Sequence, residues 1–236
     1  MLHNKKKFTQ GTLLLVSFVV VFFIIFLPIF PGGENGLNFS DDLFNKLSKG
    51  SSNFIPQVME AVKPLDGQQL DVTVKFKDPA IMQTAAAVLA KAGAQVAEKD
   101  GGLAVSGDFG KLLTQVTQDS QYMYDNDGAK VEAFYGMDAK KAVKAWWTAL
   151  SAMIKPLQKA DKTAEANVVD TVMRKAIEPG YNYYGIPAEN ILDKIPTAAG
   201  LLIFYVVYTL WYGYAIFDIF AGVGLSMSKS KIKKEA

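Results

Sequence analysis

TLLLVSFVVVFFIIFLPIF, residues 12–30, is a run of nineteen residues without a charge. At ~1.5 Å per residue such a run is long enough, as a helix, to cross a hydrocarbon core of ~30 Å. Pro28 falls near its end, where a lost backbone hydrogen bond costs least. A cleaved signal peptide would have a shorter apolar run followed by small residues. Pro31-Gly32-Gly33-Glu34 follows here, so the run reads as an uncleaved anchor.

A second apolar block, AGLLIFYVVYTLWYGYAIFDIFAGVGLSM, occupies residues 199–227. Lys5, Lys6 and Lys7 precede the first block, and Lys229, Lys231, Lys233 and Lys234 follow the second. Basic flanks favour the cytoplasmic face. The expected topology therefore has two transmembrane helices in the inner (cytoplasmic) membrane. Both termini are cytoplasmic and the main domain is periplasmic or extracellular. The expected segments are a basic tail 1–11, helix 12–31, a connector with short helices 32–69, an α+β subdomain 70–136, a helical subdomain with an aromatic linker 137–198, helix 199–227 and a basic tail 228–236.

The formal net charge is only +2 and no basic stripe marks the middle of the chain, which argues against nucleic acid as a partner. There is no cysteine, and the one histidine is His3. Thiolate catalysis, disulfides and Ser–His–Asp chemistry are thereby excluded. No metal and no cofactor is expected, and no catalytic residue is assigned. Asp125 and Asp127 have the spacing that opens a calcium loop, but position twelve is Gly136 rather than Glu. A solvated turn is the expected reading.

Between the anchors, Leu70, Val72, Val74 and Phe76 alternate with Asp71, Thr73, Lys75 and Lys77, the pattern of a strand with one buried face. Asp78-Pro79 opens a helix that Gly93 ends. Residues 94–98 and 103–106 form a hairpin across Asp100-Gly101-Gly102. Asp108 caps the next helix. The order strand, helix, strand, strand, helix predicts a ferredoxin-like βαββα subdomain. Residues 130–134 are either its fourth strand or a helix. Ser40 is expected to cap a short helix that ends near Lys49. Asp138 opens a helix, and a second over residues 164–177 completes a helical hairpin that Glu178-Pro179-Gly180 stops.

Two groups are the candidate sites. Tyr208, Trp211, Ala215, Asp218 and Gly222 recur at steps of three and four, so they share one face of the second anchor. Small residues beside a polar one suit helix packing, and an intramembrane carboxylate is by default a functional candidate. Three readings stay open for Asp218: packing on a partner helix, an interfacial carboxylate, or a proton, ion or quinone role. The first anchor, plain hydrocarbon, is expected only to tether. Tyr181, Tyr183 and Tyr184 form an aromatic cluster, either packing or a binding surface. The expected function is a non-catalytic accessory or scaffold subunit of a larger membrane complex. Its partners are lipid and other integral membrane subunits. The alternative is a ligand-binding or sensing module of a transporter, with the small-molecule ligand unknown.

Overall fold

The structure, a computed structural model, describes residues 2–225. The expected basic tail at 228–236 and the end of the second anchor lie outside the described residues. The chain divides into two compact units, Met1–Phe44 with Asn190–Ala236, and Asn45–Glu189.

In the first unit, α1 spans Lys5–Ile25. It begins seven residues before the expected anchor, because Asn4 caps it: its Oδ1 accepts from the Lys7 amide at 3.1 Å. The lysines of the supposed tail thus form its first turn. Pro28 lies beyond its end. Phe30 pairs with Glu34 in an isolated bridge around Pro31–Gly33. Helix α2, Gly36–Ser51, follows. Asn35, not Ser40, caps it, accepting from the Asn38 amide at 2.9 Å. Ser40 lies inside the helix and donates to the Gly36 carbonyl at 2.7 Å.

The long helix α10, Ile191–Val223, starts well before the expected residue 199, with Asn190 as its cap. It carries Pro196 in its second turn. Among the described residues, α1 and α10 are the two helices long and apolar enough to cross a membrane. They pack antiparallel in one register, with the Asn4 amide donating to Gly222 O at 3.0 Å and Trp211 Nε1 to Leu14 O at 3.1 Å.

The second unit is built on three strands, β1 Gln69–Val74, β2 Gln95–Lys99 and β3 Gly102–Asp108, in the order β1-β3-β2. Both pairings are antiparallel, with Val105 opposite both Val72 and Val96. Leu70, Val72, Val74, Leu103 and Val105 are buried on one face, as the alternation predicts. That face is covered by α4, Pro79–Lys91, and α7, Ala139–Lys159. Among the described residues no fourth strand joins the sheet. Residues 130–134 belong to α6, Gly128–Tyr135, which buries Val131 and Tyr135 four residues apart and ends on the left-handed Gly136. The result is a helix-dominated mixed fold with a small antiparallel sheet.

Helices α3, Ile55–Val62, α5, Phe109–Tyr124, and α8, Thr163–Val172, complete the core around Trp146 and Phe109. The turn Glu178-Pro179-Gly180 does not stop the last helix. Residues Met173–Ile177 widen into a π turn that leads directly into α9, Glu178–Asn182. A π turn already shifts the hydrogen-bond ladder, so the missing amide of Pro179 breaks nothing further. Gly180 is there for close approach, since a Cβ on it would lie 2.6 Å from Ser120 O on α5.

Candidate functional site

The predicted face of α10 is assembled, but on this chain's own α1. Tyr208 stacks on Phe18 at 4.2 Å and donates to the Phe18 carbonyl at 3.3 Å. Trp211 donates to Leu14 O, as above. Ala215 is fully buried, and Gly11 lies against it so closely that a Cβ would meet Ala215 O at 2.8 Å and Ile219 N at 2.6 Å. Asp218 accepts from Lys7 Nζ at 2.8 Å. Gly222 lies against Phe8, with room for no Cβ. The surface expected to meet another subunit is therefore occupied internally, and α1 is a packing partner rather than a bare tether. The small residues Gly11, Ala215 and Gly222 let the two backbones approach. Leu225, past the helix, is exposed.

The tyrosine cluster separates into three environments. Tyr183 turns inward, sharing a hydrogen bond with Ser48 Oγ at 2.5 Å and meeting the Tyr124 ring edge-on at 5.9 Å. Tyr184 packs over Gly128, whose missing Cβ makes room for the phenol. Tyr181 lines an open groove of about 270 Å³ with Val143, Lys144, Trp147, Ile177, Glu178 and Asn182. Lys140 reaches over both outer rings, 5.4 Å from Tyr181 and 5.9 Å from Tyr184. Trp147 donates its indole N–H to Glu178 at 3.2 Å. The tryptophan pair is divided: Trp146 is fully buried, while Trp147 is 39% exposed and forms one wall of the groove.

Two buried polar centres were not legible in the sequence. Lys49 is 3% exposed. Its ammonium donates to Ile186 O at 2.6 Å, Tyr183 O at 3.1 Å and Asn126 Oδ1 at 3.2 Å, and lies 5.1 Å from the Tyr124 ring centre. All three donors are used. Burial lowers its pKa, against the raising influence of Asp125. The loop that resembled the start of a calcium site thus supplies a clamp: Asn126, left-handed at φ 63°, also accepts from the Gly185 amide at 2.7 Å. Among the described residues there is no group of three or more acidic or histidine side chains placed to hold a metal.

The second centre is Asp119, 1% exposed on α5. It accepts from Tyr135 at 2.5 Å and from Gln115 Nε2 at 2.9 Å, and Trp146 Nε1 donates in turn to the Tyr135 oxygen at 2.9 Å. Burial without a cation pushes its pKa up to about 6, even though these donors favour the carboxylate. The Tyr135 phenol is pushed up as well, by burial and by Asp119. Asp119, Tyr135 and Trp146 are all buried. The network's place behind Trp146 makes it a polar element of the core.

Of the three features, the Trp147–Tyr181 groove is the one presented to solvent with an aromatic wall and a charged rim. Comparison with known proteins adds no family: no family model, no curated protein and no solved structure matches this chain.

Proposed function

We propose that this chain is a non-catalytic accessory or scaffold subunit of a membrane complex. Helices α1 and α10 hold it in the inner membrane, and the Asn45–Glu189 unit docks a partner outside the cytoplasm. The lysines at both ends of the sequence support this orientation, and so does the antiparallel hairpin, which brings Asn4 and Gly222 to one end.

The observation that carries the reading is the exposed Trp147 beside Tyr181. Trp and Tyr with a fixed polar partner are the residues that dominate protein interfaces. At about 270 Å³ the groove falls below the ~300–1,000 Å³ of small-ligand pockets. It suits one or two inserted side chains better than a metabolite, which favours docking over ligand sensing for a transporter. Lys144 lines it, Lys140 lies over the Tyr181 ring, and the groove's one carboxylate, Glu178, already accepts from Trp147, so the fitting partner segment carries an apolar tip next to an acidic residue.

Extraction of the full chain from its own membranes in mild detergent tests this. The expected result is a co-purifying integral membrane protein that Trp147→Ala and Tyr181→Ala lose and Ile81→Ala, an exposed apolar change on α4, retains. Loss of ~2 kcal/mol is typical of such anchors. A bare monomer, or a partner that both groove variants retain, would overturn the proposal.

A further inference from the structure

An apolar cleft of about 710 Å³ lies between α1, the start of α2 and α10. Its walls are Phe22, Ile25, Phe26 and Phe30, then Leu37 and Phe44, then Leu201, Phe204 and Tyr205. The cleft is a built feature. The Phe30–Glu34 bridge fixes the chain between α1 and α2, and Phe30 stacks on Phe39 at 5.5 Å. Gly36 is buried against Phe30, where a Cβ would come within 2.9 Å of the ring. A larger residue would push α2 off the wall.

The lining offers a ligand almost no polar contact. The Ser40 hydroxyl donates to Gly36 O, and the Tyr208 hydroxyl donates to Phe18 O. A quinone head would find only the Tyr205 hydroxyl to pair with, and each further oxygen left unpaired costs of order 1–3 kcal/mol. A hydrocarbon chain loses nothing. Phe22, Phe26, Leu202 and Tyr205 are themselves between 44% and 67% exposed, so the cleft is continuous with the bare surfaces of the two helices. Whatever bathes those helices enters it.

We infer that this cleft holds one acyl chain of a membrane phospholipid as a bound lipid. The inference rests on the reading that α1 and α10 lie in a bilayer. Its volume of about 710 Å³ falls within the ~300–1,000 Å³ of established ligand pockets, which gives room for one chain.

The test uses the full chain in phosphatidylcholine nanodiscs, with a small fraction of the lipid carrying a diazirine on its acyl chain. After irradiation, adducts are mapped by peptide mass spectrometry. The expected adducts include Leu37 and Phe44 on α2. They fall to less than half when Leu37→Trp and Leu202→Trp together fill the cleft. They are unchanged by Val20→Trp, which adds a tryptophan on an exposed part of α1. No adducts on α2, or adducts that the filling variants leave unchanged, would overturn the inference alone. Adducts displaced by added isoprenoid quinone but not by excess phospholipid would overturn the acyl assignment. Release of the chain from its membranes by alkaline carbonate would overturn the bilayer reading, and the inference with it.

Discussion

Lys7 and Asp218 are 211 residues apart in sequence, and their Nζ and Oδ1 atoms are 2.8 Å apart in the structure. The two ends of this pair are not equivalent. The Lys7 side chain is 43% exposed, whereas the Asp218 side chain is 6% exposed. A lysine without its partner can swing its ammonium toward water along a flexible stem. A carboxylate held under α1 cannot. Lys7→Ala is therefore expected to destabilise the hairpin more than Asp218→Asn does. The expected costs are about 1–2 kcal/mol for the first and under about 1 kcal/mol for the second, after allowing for solvent at Lys7. The double variant should recover part of the first loss. Thermal unfolding of the four proteins in one detergent measures the cycle. Equal costs would refute the asymmetry.

The glycines of the two helices sort by what faces them. Gly11 and Gly222 touch backbone across the hairpin, while Gly200 and Gly213 have open space where a Cβ would go. Gly11→Leu and Gly222→Leu are expected to force the helices apart at about 1–3 kcal/mol each. Gly200→Leu and Gly213→Leu should be neutral or slightly stabilising, because a helix interior prefers leucine to glycine. Melting temperatures in detergent separate the pairs, and a uniform response across all four would count against the register.

Much of this arrangement was legible in the sequence, and the parts that were not share a cause. Alternation gave β1 and its buried face because one face of that strand meets a core. The spacing of Tyr208, Trp211, Ala215, Asp218 and Gly222 gave their common face because helical geometry is local. Which surface covers that face is not a local property, so the role of α1 was hidden. Residues 130–134 were ambiguous because the segment is short and Val131 and Tyr135 satisfy a helix only once α5 and α7 are in place. Glu178-Pro179-Gly180 reads as a stop, and the π turn before it and the contact of Gly180 with Ser120 overrule that reading. Lys49 gave no signal, since its acceptors lie 77 to 137 residues away.

Asp119 makes stability depend on pH in a direction opposite to that of a salt-bridged carboxylate. Its folded pKa of about 6 is above the ordinary value of 3.8. Between those values the folded state binds more protons than the unfolded state, so stability falls as pH rises through the window. The loss is complete above about pH 6 and amounts to roughly 2–3 kcal/mol at ~1.4 kcal/mol per pH unit. Asp119→Asn cannot ionise and should flatten the profile, whatever it costs through the Tyr135 hydrogen bond. Urea midpoints at pH 4.5 and 7.5, roughly spanning the window, decide it. A variant as pH-sensitive as the parent would place the titration elsewhere.

Lys49 joins the chain where it enters the second unit to the loop where it leaves. Its ammonium donates to Tyr183 O and Ile186 O, the Lys49 carbonyl accepts from the Tyr124 hydroxyl, and Glu189 N donates to Lys46 O nearby. Lys49→Met keeps the apolar stem and removes three donors at once. Tyr183 O, Ile186 O and Asn126 Oδ1 then lose the ammonium but each keeps one other donor, so the cost is about 1–2 kcal/mol. The damage should be local. Gly185 and Ile186 donate their amides within this loop, to Asn126 Oδ1 and Tyr183 O, so both should exchange with solvent faster in the variant. The amides of β3, held by pairing on both sides, should report only the global loss. Hydrogen exchange resolved by peptide makes the distinction. Uniform acceleration across both segments would mean that Lys49 supports the whole unit, and unchanged exchange at 183–186 would mean that the loop is held by Tyr183 and Ser48 instead.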